Sequence, residues 1–196
     1  MKKICLLFAL FTFSIMAAQD MQQEDTLYRR DTAKNELSLN IFNILVFGAI
    51  DGGYERILND HSSISLEVFS KKINKNEGED FDLSKAYSKE FSLITKFKYF
   101  FQEQNTAWGF YAAGFAMYSD GINDKDVEVL DQEGKTVTRE IEVEYIDVAI
   151  GAGIGGKFVS KNGFLIDLYF GLGRNMFNRD SPDLVVVPNI NLGYRF

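Results

Sequence analysis

The sequence predicts an all-β chain, an antiparallel up-and-down transmembrane β-barrel of eight strands, and three observations predict it. Apolar and polar residues alternate with period two from Glu36 onward, short and long connections take turns between the alternating segments, and the last segment ends on Phe196. Composition agrees. Of 196 residues, 25% are charged and 46% hydrophobic, an average that a soluble protein also shows, because barrel strands mix lipid-facing apolar residues with lumen-facing polar ones. The 18 Phe, 9 Tyr and 16 Gly against 2 Pro favour strands over helices. A net charge of -7 speaks against nucleic-acid binding, which needs clustered Lys and Arg.

Residues 1–18 read as a cleaved signal peptide and so predict export. Lys2 and Lys3 form a positive start, and the apolar run from Ile4 to Met16 is too short to span a bilayer. Cleavage is expected after Ala18, with Ala17 as the alternative. The single cysteine, Cys5, leaves with this segment, so the mature chain carries neither disulfide nor thiol chemistry. Residues 19–35 are polar, rich in both charges and without apolar period, which predicts a flexible periplasmic segment. Residues 36–196 form the barrel, a single domain.

The strands are expected in order at 36–45, 48–58, 63–72, 90–101, 107–119, 140–159, 164–174 and 184–196. Residues 58–63, 102–106 and 160–163 are tight turns, whereas 72–89, 120–139 and 175–183 are long and charged; the connection at Val46 and Phe47 is the exception to the alternation. Short periplasmic turns and longer extracellular loops have this parity, and an even strand number leaves both termini on one side. In the fourth strand Phe91, Leu93, Phe97, Tyr99 and Phe101 face outward, with Ser92, Lys96 and Lys98 inside. The fifth has Trp108, Phe110, Tyr111, Phe115 and Tyr118 on both faces, so no register follows for it. In the sixth, Ile146, Val148, Ile150, Ala152 and Ile154 oppose Tyr145, Asp147, Ala149, Gly151 and Gly153; in the seventh, Phe164, Ile166, Leu168, Phe170 and Leu172 oppose Asp167, Tyr169, Gly171 and Gly173. The eighth sets Val186, Ile190, Leu192, Tyr194 and Phe196 against Asn189, Asn191, Gly193 and Arg195. Aromatic residues next to the short turns, Tyr99, Phe101, Trp108, Phe110, Phe158, Phe164, Tyr194 and Phe196, suit a membrane-interface girdle.

Period-two counting places Asp51, Glu55, Glu67, Asp147 and Asp167 in the lumen with Lys96, Lys98, Lys157 and Arg195. An eight-stranded barrel is just wide enough for side chains to fill, and an unpaired buried charge costs several kcal/mol. A salt-bridge network that plugs the lumen is therefore expected; a narrow ion-conducting path, a small pore or transporter, is the alternative. No catalytic constellation and no need for a cofactor or metal emerge. Gly151-Ala152-Gly153-Ile154-Gly155-Gly156 satisfies a dinucleotide-binding pattern, but Lys157, Phe158 and Val159 continue a strand where that motif needs a helix. His61 beside Ser62 and Ser63 would suit a lipid-modifying hydrolase only at the outer rim, and it falls in a periplasmic turn. The acidic clusters Glu77, Glu79, Asp80, Asp82 and Asp120, Asp124, Asp126, Glu128 lack the spacing of a calcium loop and read as solvated surface.

The export signal, the alternation of turns and loops, and the closing run Asn189-Ile190-Asn191-Leu192-Gly193-Tyr194-Arg195-Phe196 together resemble the small eight-stranded outer-membrane barrels of the OmpA and OmpX type. Gly53-Tyr54-Glu55-Arg56 also resembles a family of uncharacterised outer-membrane proteins with no assigned activity. The resemblance implies a Gram-negative outer-membrane location and a monomer whose partners are outer-membrane lipid, lipopolysaccharide and the barrel-assembly machinery. Tyr194 and Phe196 match the C-terminal assembly signal of such barrels. A non-enzymatic, structural or surface-interaction role is the expectation, ahead of the pore and of a lipid-modifying enzyme.

Overall fold

The computed structural model describes residues 29–71, 89–102, 106–130 and 136–196. The expected signal peptide lies outside these residues, as do 19–28 and the acidic run from Glu77 to Asp82. Eight strands close into one antiparallel barrel in chain order: β1 (Asn35–Asn40), β2 (Ile50–Asn59), β3 (Ser62–Ser70), β4 (Lys89–Phe100), β5 (Gly109–Leu130), β6 (Thr136–Val159), β7 (Phe164–Asn175) and β8 (Leu184–Arg195). β8 returns to β1 through Glu36↔Arg195 to Asn40↔Asn191, which closes the ring along that stretch. A helical turn, α1 (Arg29–Thr32), precedes β1. Part of the segment read as a leader is thus in the barrel: Asn35 pairs with Arg56, and the Ile57 amide donates to the Lys34 carbonyl.

The faces follow period two because successive side chains of a strand point to opposite sides. Phe110 is 70% exposed and Tyr111 1%, which fixes the register the sequence left open on β5: Tyr111, Ala113, Phe115 and Met117 face in. Phe91 and Leu93 of β4, Ile150 and Ile154 of β6, Leu168 and Phe170 of β7, and Ile190 and Leu192 of β8 all fall on the outer face, the side period two assigned them.

Two elements depart from the expected ladder. The first strand was expected to reach Leu45, yet the chain leaves the sheet at Asn40 and forms a helix, α2 (Ile41–Phe47). Its caps explain why. The Asn40 side chain accepts hydrogen bonds from the Phe42 and Asn43 amides, and Gly48 ends the helix in the left-handed conformation at φ 61°. Period two also fails here, since Asn43 is the one polar residue between Ile41 and Phe47. The second departure is the 120–139 connection, expected as a loop. β5 and β6 continue pairing up to Leu130↔Thr136, well beyond the last partner of β5 on β4 (Gly121) and of β6 on β7 (Ala149). Val127, Val129, Val137, Ile141 and Val143 supply strand propensity that the density of charge masked, and a two-stranded ribbon stands above the ring.

Glycines in β6 and β7 make the barrel interior wide enough for its rings. A Cβ on Gly155 would lie 2.3 Å from Tyr111 Cζ, one on Gly153 2.6 Å from Tyr169 Oη, and one on Gly151 2.4 Å from Phe115 Cζ. Three inward aromatics therefore lie directly on glycine backbone, and the Gly-Ala-Gly-Ile-Gly-Gly run is strand throughout, with no helix behind it.

Candidate functional site

The chemistry of this barrel is concentrated inside it, in layers set by the register. Nearest the chain termini, Arg195 of β8 is fully buried beside Glu36 of β1, its register partner, at 2.6 Å. Its guanidinium also donates to the carbonyls of Arg30, Thr106 and Ala107, so one side chain ties β8 to α1 and to the β4–β5 connection. Arginine suits this position because its planar fork holds several donors in fixed directions. Ala107, with φ 49° and no exposure, is buried there and belongs to the same apolar cluster as Phe100 and Ile57.

One layer further in, Lys157 reaches Glu36 at 2.6 Å and also pairs with Glu55. Glu55 accepts from Lys98 at 2.7 Å and from the Ser63 hydroxyl at 2.6 Å; Lys98 continues to Asp167 at 2.6 Å, and Asp167 accepts from the Tyr111 hydroxyl at 2.7 Å. The result is one chain of alternating charge, Arg195, Glu36, Lys157, Glu55, Lys98 and Asp167, drawn from six strands. A separate pair lies beyond it. Lys96 meets both oxygens of Glu67 at 2.7 Å, and Asn189 donates to Glu67 at 2.8 Å.

Each interior lysine also covers a ring. Lys96 Nζ stands 4.3 Å from the Tyr169 centroid, Lys98 5.0 Å from Tyr111, Lys157 5.4 Å from Phe100 and Lys89 4.6 Å from Phe69. Tyr111 and Tyr169 themselves stack, with planes 5° apart. The negative faces of the rings add to the carboxylates in offsetting ammonium burial.

Seven of the nine charges placed in the lumen by period two are thereby in these two clusters: Glu55, Glu67, Lys96, Lys98, Lys157, Asp167 and Arg195. The other two are buried but differently employed. Asp51 accepts from Asn40 at 3.0 Å and from Asn43 at 2.5 Å, fastening α2 to β2. Asp147 turns to the rim, where its carboxylate accepts from the amides of Phe177 and Asn178 and from the Ser181 hydroxyl, organising the β7–β8 loop. On that loop Asp180 pairs with Lys125 of the β5–β6 ribbon at 2.7 Å.

Sequence counting missed Glu36, although the Glu36, Ser38, Asn40 alternation could have revealed it. It also missed Lys89, and there parity misleads. A register shift between Lys89 and Phe91 puts odd-numbered Lys89 on the same inner side as even-numbered Ser92 and Lys96, at 6% exposure. Tyr194 and Phe196 lie on the outer side of β8, with Tyr194 edge-on to Phe164 at 5.3 Å and the Phe196 backbone bonded to Asn35. His61 sits at the short β2–β3 turn, stacked on Tyr99 at 6.2 Å.

On the outside, an apolar groove of about 570 Å³ crosses β5 to β8 and ends at α2. Phe110, Ile154, Leu168, Phe170, Pro188 and Phe42 mark its course. The chain matches no family model, no curated protein and no solved structure.

Proposed function

We propose that the chain is an integral outer-membrane protein, exported by its N-terminal signal, with a non-enzymatic structural or surface-interaction role and a lumen filled by its own side chains. One observation carries the reading: the barrel is apolar outside and charged inside. Ile154 at 70%, Phe110 at 70% and Phe164 at 67% exposure stand on the outer face, while Lys157, Lys98 and Arg195 are buried within. Water would favour the reverse. An exposed apolar surface that encircles the molecule far exceeds the patches soluble monomers tolerate, and hydrocarbon demands backbone pairing of the kind a closed ring provides.

Two further features support the reading. The strand ends joined by the long connections lie with the ribbon and α2 at one end of the barrel, and the strand ends joined by the short connections lie with the start of β1 and the end of β8 at the other, the arrangement expected of extracellular loops and periplasmic turns. Polar contacts bridge strands across the interior, a hydrogen bond from Asn189 on β8 to Glu67 on β3 and an ion pair between Lys157 on β6 and Glu55 on β2, which supports a filled lumen over a pore. Lipid, lipopolysaccharide at the rim and the assembly machinery acting on Tyr194 and Phe196 are the partners of this reading. Membrane fractionation with heat-modifiable gel migration tests it: the protein is expected in the outer-membrane fraction with a mobility shift on boiling. Recovery in the soluble fraction without a shift would refute the location. Resolved unitary conductance in planar bilayers would refute the filled lumen.

A further inference from the structure

β1 closes only half of the seam it belongs to. Its pairing with β8 stops at Asn40↔Asn191 and with β2 at Leu39↔Gly52, whereas β8 runs on to Leu184 with β7 as its only strand partner among the described residues. In the place of β1's missing half stands α2, packed on β8 and β2. Two residues accommodate the interrupted ladder. The Ile190 amide, which points toward β1, donates to the Asn40 side chain at 3.3 Å in place of a backbone carbonyl. Pro188, two residues along and therefore pointing the same way, has no N–H to leave unpaired.

The apolar groove ends at this seam. It runs along the outer ladder from Phe110 through Ile154 and Phe170 to Pro188 and Ile190, and Phe42 of α2 forms its far wall. Residues of both faces border it, the inward Tyr111, Gly155, Tyr169 and Asn189 alternating with the outward ones along the strands. Four strands and the step to a helix span roughly 20 Å at the usual strand spacing of about 4.8 Å. Its volume of about 570 Å³ lies within the range of ligand sites.

We infer that this groove is a lateral binding site for a single acyl chain of a membrane lipid, with α2 as its end wall at the open half of the β1–β8 seam. The occupant follows from the lining. Apolar side chains line an open depression that faces sideways from the barrel wall and is continuous with the apolar outer face, so its ligand arrives from hydrocarbon and lies across the ladder. The site rests on the outer-membrane reading.

A quenching experiment on the full-length mature protein separates the two. In a Trp108→Phe background, Ile190→Trp places an indole on the groove and Ile64→Trp places one on the outer face of β3, away from it. The folded variants in detergent micelles are titrated with phosphatidylcholine brominated on its acyl chains, and also reconstituted into bilayers of that lipid. Saturable quenching of the Ile190→Trp variant at one lipid per barrel, with only gradual, unsaturated quenching of the Ile64→Trp variant, is the expected result. Adding Gly156→Leu should abolish the saturable component, because a Cβ there meets the Phe110 ring at an ordinary 3.5 Å and fills the groove from outside. Equal, unsaturated quenching at both positions would overturn the site and leave the membrane reading standing. No quenching at either position in bilayers would overturn both. Should Ile190→Trp fail to give the heat-modifiable folded form, Phe170→Trp occupies the same groove from β7.

Discussion

Replacing Lys96 by Met should destabilise the barrel far more than replacing Lys96 and Glu67 together. Both side chains are almost wholly buried, at 1% and 7% exposure, and the ammonium meets both carboxylate oxygens at 2.7 Å. Removing one partner of a buried pair leaves the other charge desolvated and costs about 3–5 kcal/mol. In the Lys96→Met variant Glu67 keeps the Asn189 amide as a donor, but one hydrogen bond to a carboxylate, worth about 1.5–3 kcal/mol, is already made in the parent and does not replace the lost ammonium. In Lys96→Met with Glu67→Gln no charge is left, Met keeps a flexible chain over the Tyr169 ring, and the Gln amide can accept from Asn189. The double variant should therefore lie within about 1 kcal/mol of the parent, a coupling of at least about 2–4 kcal/mol and larger by whatever Glu67→Gln costs alone, since that change strands the Lys96 ammonium. Urea unfolding from lipid vesicles, followed by tryptophan fluorescence and by heat-modifiable migration, reads all four corners of the cycle. A Lys96→Met cost below about 1 kcal/mol, or simple additivity, would mean that water or counterions reach Glu67, and the desolvation argument would fail.

Three other outcomes follow from the same interior. Gly153→Ala should fail to fold, since its Cβ would sit 2.4 Å from the Phe170 carbonyl oxygen and 2.6 Å from Tyr169 Oη, whereas Gly114→Ala, whose nearest neighbour is 4.0 Å away, should keep the heat-shifted band. Asn40→Ala removes the α2 cap, the acceptor for Ile190 and a donor to Asp51 in one step; a loss of about 1–2 kcal/mol is expected, with faster hydrogen exchange at the Phe42, Asn43 and Ile190 amides. Asp147→Ala should speed exchange at Phe177 and Asn178 while leaving the urea midpoint within about 0.5 kcal/mol of the parent, because its partners belong to the rim loop. An unchanged exchange rate at those two amides would refute the loop assignment.

Most of the barrel was legible in the sequence because a strand announces both its length and its faces in one dimension. Period two alone separated Lys96, Lys98 and Ser92 from Leu93, Phe97 and Tyr99, and the turn residues between strands located the hairpins. Where that signal stops, so did the reading. α2 spans seven residues, too few for a helical period to stand out, and its only local marks are Asn40 before it and Gly48 after it. The ribbon above the ring looked like loop because its charges outnumber its valines, although alternation persists through it.

By itself the sequence determined that the chain is all-β, which residues alternate, and that acids and bases share the inner face in comparable number. Only the tertiary structure decided who pairs with whom. Glu67 meets Lys96 across neighbouring strands but Asn189 across the ring, and Lys157 finds Glu36 and Glu55 from the opposite wall, contacts that exist only once β8 has met β1. Parity assigns a side chain to a face. Its partner depends on register, on the bulge that turns Lys89 inward, and on glycines that let rings lie against the wall, all of which are set by closing the ring.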